Sequence, residues 1–599
     1  MFKTLIIVHT INNFKKLEAL FDKSSDLLAL NPEVMFELDR QGINYLTIEN
    51  LYSQENFFQD VNPFNKNLEE VLEKIDFACK DYLNISFAYS GNSQYFFTML
   101  DDLFYLEKLI NAMKKKYQKF YLYSEFYPEK ITWKAFGYID LISHPSKGTV
   151  SFPLERDIRR DLKVINDYLD IELMLDEKAN STNITYFKRI KFLFNKIVIK
   201  LREKINNKSL KNKTKNNNIF IIQDGYEVLA LKKYLPEFNY LYPVPSLRKK
   251  LNEADLKKID YRFVEKIITA YTDKNFATLK RYVNLIMYSY HNEILGRVDY
   301  YSQIFTQCLE HKKPKLLFFS IGIRDIFDMI MAHVANKKNI PVMFFQHGGS
   351  LSFFDPLYQK YVELTPQIRK TLIINSVNEL EKSKHIGSKV LAMGSISRYE
   401  MLNEKSENVD KEILFIARPY ASSTYRELLN NSSCNDMYGS CCDVLKILDT
   451  MALSTEVKLH PIGEDDAYSF VKKIIETNSY ANIEIIHGCS VESIFKRYRL
   501  IILDYLGSSL VTYLLTSKIE IILYIKNFNI LKISDKSKED LLKRCHIAKN
   551  TDELDYLLCE YLAGNLESKW NLDFINQYIY PVDNGNPGEN IANYIKSIK

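Results

Sequence analysis

At 599 residues the chain is too long for a single hydrophobic core, and two or three domains are the starting expectation. Hydrophobic residues at 46% and charged residues at 26% exclude a disordered or fibrous chain. The net charge of +5, from 80 basic and 75 acidic side chains, excludes a general nucleic-acid binder, because the excess is local: residues 188–215 hold eleven Lys or Arg against one acid, Glu203.

The chain opens on an apolar run of nine residues without a cleavage pattern, which reads as a first buried strand and not as a signal peptide. Short apolar, β-branched runs then alternate with longer amphipathic stretches. Strands are expected over residues 3–9, 43–48, 85–89, 119–123, 219–223, 315–320 and 341–346, with helices over 94–116 and 325–337. Residues 150–217 break the alternation and read as charged and helical, with Phe187, Ile190, Phe194, Ile197, Leu201 and Ile205 spaced by threes and fours. Such a helix either lies on an anionic membrane surface through residues 188–215 or shows a solvated basic face beside a core.

Polar residues around 381–408 mark a join. A second series follows, with strands expected over 390–393, 412–417, 456–459, 483–486, 500–503 and 520–524, and helices over 444–451, 466–477 and 491–498. Residues 500–517 come nearest to a membrane span, but Asp504 and Gly507-Ser508-Ser509 favour strand, turn and helix. Eight cysteines without a CxxC pair read as reduced thiols of a cytosolic protein.

This alternation calls for parallel sheets with helices on both faces. The expected fold is α/β, with two Rossmann-like parallel-sheet domains facing across a cleft. The first covers residues 1–385 with a helical basic insertion at 150–217, and a linker covers 386–410. The second covers 411–580, and a C-terminal helix at 581–599 packs back on the first domain.

In open parallel sheets ligands bind beyond the carboxyl ends of strands, so polar residues that follow strands are the candidates. After residues 341–345 come Gln346, His347, Gly348, Gly349 and Ser350: the glycines allow close backbone approach, and His347 is a possible base or phosphate ligand. His460-Pro461 follows 456–459, with the proline fixing an imidazole at a strand tip. Gly507, Ser508 and Ser509 open an apolar helix, where hydroxyls and unpaired N–H groups make an anion site. Arg418 follows 412–417 and offers a fork to phosphate; a surface salt bridge is the plainer alternative. Helix capping and a backbone-satisfied loop histidine are the plainer alternatives elsewhere.

As a set, Gln346-His347-Gly348-Gly349, Lys458-Leu459-His460-Pro461 and Asp504 with Gly507-Ser508-Ser509 resemble bacterial capsule and lipopolysaccharide transferases of the GT-B kind. These include the polysialyltransferase-like and lipooligosaccharide sialyltransferase groups, the keto-deoxyoctulosonate transferases and the teichoic-acid CDP-glycerol polymerases. The likeness covers residues 315–530. It implies a nucleotide-activated donor, with a CMP-linked sugar favoured, whose phosphate falls to His460, Ser508 and Ser509. The general base is either Asp224, in Gln223-Asp224-Gly225 where the sialyltransferase-like groups carry an acidic pair, or His347, by likeness to the glycerol polymerases.

The function this implies is glycosyl transfer to a surface polysaccharide or lipid-linked glycan, without a metal or other cofactor. The setting would be the cytoplasmic face of the membrane. A sugar-nucleotide 2-epimerase and a non-catalytic assembly protein are the alternatives.

Overall fold

The structure is a computed structural model. It describes residues 3–53 (Thr10 and Lys23 apart), isolated positions between 56 and 74, and residues 92–124, 172–175, 217–242 (Asp224 apart), 262–280 (Thr278 apart), 301–319, 326–345, 371–374, 389–403, 409–418, 434–459, 469–506, 509–579 (531–532 apart), 581 and 585–598.

Three parallel sheets carry the described chain. The first is built from β1 (Thr4–Val8), α1 (Ile11–Leu17), β2 (Ser25–Ala29), α2 (Pro32–Arg40), α3 (Asn92–Lys116), β3 (Lys119–Ser124) and β4 (Glu172–Leu175), in the order β2-β1-β3-β4. The second contains β5 (Asn218–Gln223), α4 (Tyr226–Tyr234), β6 (Asn239–Leu241), α5 (Arg262–Asn275), β7 (Leu316–Phe319), α6 (Ile326–Lys337), β8 (Val342–Phe345), β9 (Thr371–Ile374) and β10 (Lys389–Ala392). Its order is β10-β9-β8-β7-β5-β6.

After α7 (Ile396–Asn403) the third sheet takes β11 (Lys411–Ile416), α8 (Cys434–Thr450), β12 (Thr455–Lys458), α9 (Ser469–Asn478), β13 (Ile483–Ile486), α10 (Val491–Ile494), β14 (Tyr498–Leu503), α11 (Ser509–Thr516), β15 (Glu520–Tyr524), α12 (Asp535–Arg544) and β16 (His546–Ala548). Its order is β13-β12-β11-β14-β15-β16. Helices α13 (Thr551–Leu562), α14 (Leu572–Tyr578) and α15 (Pro587–Ser597) follow. The second and third sheets are two Rossmann-like, six-stranded parallel units.

Central strands such as β7 (LLFF) and β14 (YRLIIL) are almost continuously apolar because helices cover both of their faces. The first sheet shares a core with the third: Ile6 and Val8 of β1 and Val34 and Leu38 of α2 pack with Val444 and Leu448 of α8 and Val471 and Ile474 of α9. Tyr438 donates to Asp39 across this seam at 2.6 Å, and Lys473 pairs with Glu33. Helix α15 returns to the second sheet, where Ile591, Ala592 and Ile595 are buried with Val228, Leu231 and Leu316.

Several sequence expectations change. The strands at 3–9 and 119–123 do not join those at 219–223, 315–320 and 341–346 in one sheet, because a periodic pattern identifies a strand without naming its neighbours. Residues 43–48 form no strand; Leu46 makes a single bridge to Leu28 after a left-handed turn at Gly42 (φ +65). Within 150–217, read as helical, Glu172–Leu175 is strand β4, paired with β3. The stretch 188–215 lies outside the described residues. Among the described residues, no helix is long and apolar enough to cross a membrane.

Gly588 lies in the first turn of α15, and a Cβ there would overlap the Tyr234 ring on α4. Gly588→Ala should therefore lower unfolding stability by about 1–3 kcal/mol in urea denaturation. An unchanged midpoint would mean that α15 is not seated on that ring.

Candidate functional site

In the third sheet the strand order reverses between β11 and β14, the place where an open parallel sheet parts to admit a ligand. The two strands pair as far as Ile416 and Leu503, and the chain then leaves in opposite directions. Arg418 and Asp504 stand at this corner, 5% and 1% exposed. The Arg418 main-chain N–H donates to Asp504 Oδ1 at 3.0 Å, and Arg418 Nη2 donates to the Asp504 carbonyl oxygen.

The rest of the guanidinium is the informative part. Nε and Nη1 of Arg418 are buried and have no hydrogen-bond partner among the described residues. A buried donor left unmade costs about 1–3 kcal/mol, so this guanidinium keeps two donors with which an acceptor could bond. A surface salt bridge, the plainer sequence reading of Arg418, does not describe a side chain so deeply placed. Helix α11 starts at Ser509, five residues beyond Asp504, and its first-turn N–H groups add positive potential near the same corner. Lys458, the last residue of β12, is also buried at this edge, adding cationic character to it.

Burial holds the Cys441 thiol on α8 well above its ordinary range, with Cys442 and then Asp504 adding to the effect. Burial of this kind works against the thiolate form. Among the described residues, no group of three or more His, Cys, Asp or Glu side chains is arranged to hold a metal ion.

The second sheet meets this corner through α7. Glu227, in the first turn of α4 just beyond β5, accepts from Ser395 Oγ, from Ser397 Oγ at 2.8 Å and from the Ile396 N–H at 2.8 Å. From the same first turn of α7, Arg398 Nη2 donates to Thr512 Oγ1 of α11 at 2.9 Å. The carboxyl end of β5 and the carboxyl end of β14 therefore lie on either side of one short helix.

Of the residues singled out from sequence, Arg418 is described in full, and Ser509 is described as the first residue of α11. Asp224, His347, Gly348, Gly349, His460, Gly507 and Ser508 lie outside the described residues; the strands that precede them end at Gln223, Phe345, Lys458 and Leu503. Sequence reasoning missed Glu227, Ser395, Arg398, Thr512 and the buried placement of Lys458. Only Lys458 had a local signal, inside the strand expected over 456–459 and at the start of Lys458-Leu459-His460-Pro461.

No family profile matches the chain. No curated protein matches it. Among solved structures, the S. aureus MnaA–UDP co-structure is 13% identical with a TM-score of 0.37, covering 63% of this chain and 95% of that one. The UDP-GlcNAc 2-epimerase of Neisseria meningitidis bound to UDP-GlcNAc is 12% identical with a TM-score of 0.35, covering 63% and 99%. MurG of Acinetobacter baumannii is 11% identical with a TM-score of 0.34, covering 63% and 99%. Similarity at these levels assigns no activity.

Arg418→Ala should weaken binding of UDP or CMP by about 1.5–3 kcal/mol in calorimetry, the worth of a charge-assisted hydrogen bond. Equal affinity in both proteins would remove Arg418 from the site.

Proposed function

We propose that the protein acts on a nucleotide-activated sugar, binding the donor phosphate at the reversal of the third sheet and transferring the sugar to a hydroxyl of a glycan or glycolipid acceptor on the second. The observation that carries this reading is the buried, partly unpaired guanidinium of Arg418 at the β11–β14 corner. A fixed cation in a low-dielectric corner stabilises charge that builds on a departing phosphate without reorganising.

In the proposed step a base, Asp224 or His347, takes the acceptor hydroxyl proton. The oxygen attacks the anomeric carbon, the bond from that carbon to the donor phosphate breaks, and its electron pair leaves with the nucleotide. His460 with Ser508 and Ser509 would share the phosphate with Arg418. Gly507 would let the backbone approach it, and Gly348 and Gly349 would do the same beside His347.

A second reading is 2-epimerisation of the same donor, a reaction in which acids in the cleft remove and return a proton on carbon. Incubation with UDP- and CMP-linked sugars, with and without a glycan acceptor, separates the two by NMR. The transferase reading expects a new glycosidic bond only when acceptor is present. Accumulation of the C2 epimer from donor alone would establish the second reading, and binding of neither nucleotide would leave an assembly protein.

The same reading puts the basic stretch 188–215, with eleven cations and only Glu203 against them, on an anionic leaflet beside a lipid-linked acceptor. Charge reversal at Lys188, Arg189, Lys191 and Lys196 should release the protein from phosphatidylglycerol vesicles and spare transfer to a soluble acceptor. Undiminished vesicle binding would rule that role out.

A further inference from the structure

We propose that Glu227 and Arg398 are positioning residues that set the working distance between the two halves of the cleft, with α7 as the spacer. The proposal rests on the reading of the cleft just given.

The geometry is that of a short strut clamped at both sides. On the second-sheet side, one carboxylate takes the Ser395 and Ser397 hydroxyls and the Ile396 N–H, which fixes the first turn of α7 in both position and direction. On the third-sheet side, Arg398 reaches Thr512 from the same turn. Ser395 and Thr512 are wholly buried and Arg398 nearly so. The outer pair Lys233–Glu400, at 2.8 Å, adds a contact in solvent that is worth little. Helix α15 packs on both α4 and α7 and closes the remaining side.

Each clamp lies close in sequence to a residue that the proposed reaction uses. Glu227 follows Asp224 by three residues, and Thr512 follows Ser509 by three. Apolar side chains would cement the same helices at lower desolvation cost. Directional bonds to a half-buried carboxylate and a buried guanidinium instead hold one geometry, and a displacement near 1 Å between reacting groups costs on the order of a hundredfold in rate.

The test uses the full-length protein with Glu227→Gln, which leaves the Ile396 N–H facing an amide, and Thr512→Val, which is isosteric. Thr512→Ser retains the hydroxyl and serves as the conservative control. The expected result is a fall in kcat on the order of tenfold to a hundredfold for Glu227→Gln and Thr512→Val. KM and the nucleotide Kd should stay within about twofold, because Arg418 and Asp504 are untouched, and Thr512→Ser should keep most of the turnover. Spin labels placed at the exposed Leu229 of α4 and Leu542 of α12 should show a broader distance distribution in the two impaired variants.

Unchanged turnover with unchanged distances overturns the proposal, as does a loss of nucleotide affinity in step with kcat. If the unmodified protein binds no nucleotide, the functional reading fails by itself, and the label distances still decide the positioning role: broadening upholds it and an unaltered distribution overturns it. Should Glu227→Gln fail to fold, Thr512→Val carries the same measurements.

Discussion

Where two neighbouring parallel strands send their chains off in opposite directions, their tips need a partner that neither strand supplies from its ladder. At β11 and β14 that partner is Asp504: its carboxylate takes the first main-chain N–H beyond Ala417, and its carbonyl takes one arm of the same arginine. The arrangement closes the sheet against water while leaving the rest of the guanidinium unspent. A polar group committed on one side only is costly to bury, and the surrounding fold bears that cost through the apolar packing of Ile416, Leu503 and Leu506. Everything proposed for the cleft depends on this corner keeping its shape.

The remaining architecture gives that corner a firm backing. The first sheet contributes α2 to the core beneath β11 and β12, so the third sheet is braced by a unit that lies far from it in sequence. On the opposite side, Arg544 is fully buried and donates from Nε to the Leu515 carbonyl at 2.8 Å and from Nη2 to the Ser517 carbonyl at 2.6 Å. It closes the carboxyl end of α11, the helix whose other end faces the cleft. A cation at that end also suits the helix dipole.

How much of this was legible follows from how local each signal is. Strands β5, β7, β11 and β14 could be read because both of their faces are covered and their apolar runs are nearly unbroken. Strands β2, β4, β6 and β16 went unread: they are short edge strands with a weaker pattern, and their place comes from a neighbour, not from composition. Interior β9 (Thr371–Ile374) went unread as well. Arg418 was legible as a polar residue after a strand, but its partner is 86 residues away. The Glu227 clamp joins residues 168 to 170 apart, and no spacing rule spans such a gap.

The seating of α15 bears on how the molecule acquires its structure. Val228 and Leu231 complete their packing only with Ile591 and Ile595, which follow the whole third sheet in the chain. Loop closure over so long a stretch is slow, and contacts of this separation form late. The middle sheet therefore finishes folding only after the third has taken shape, and until then its apolar flank stays open to solvent and to other chains.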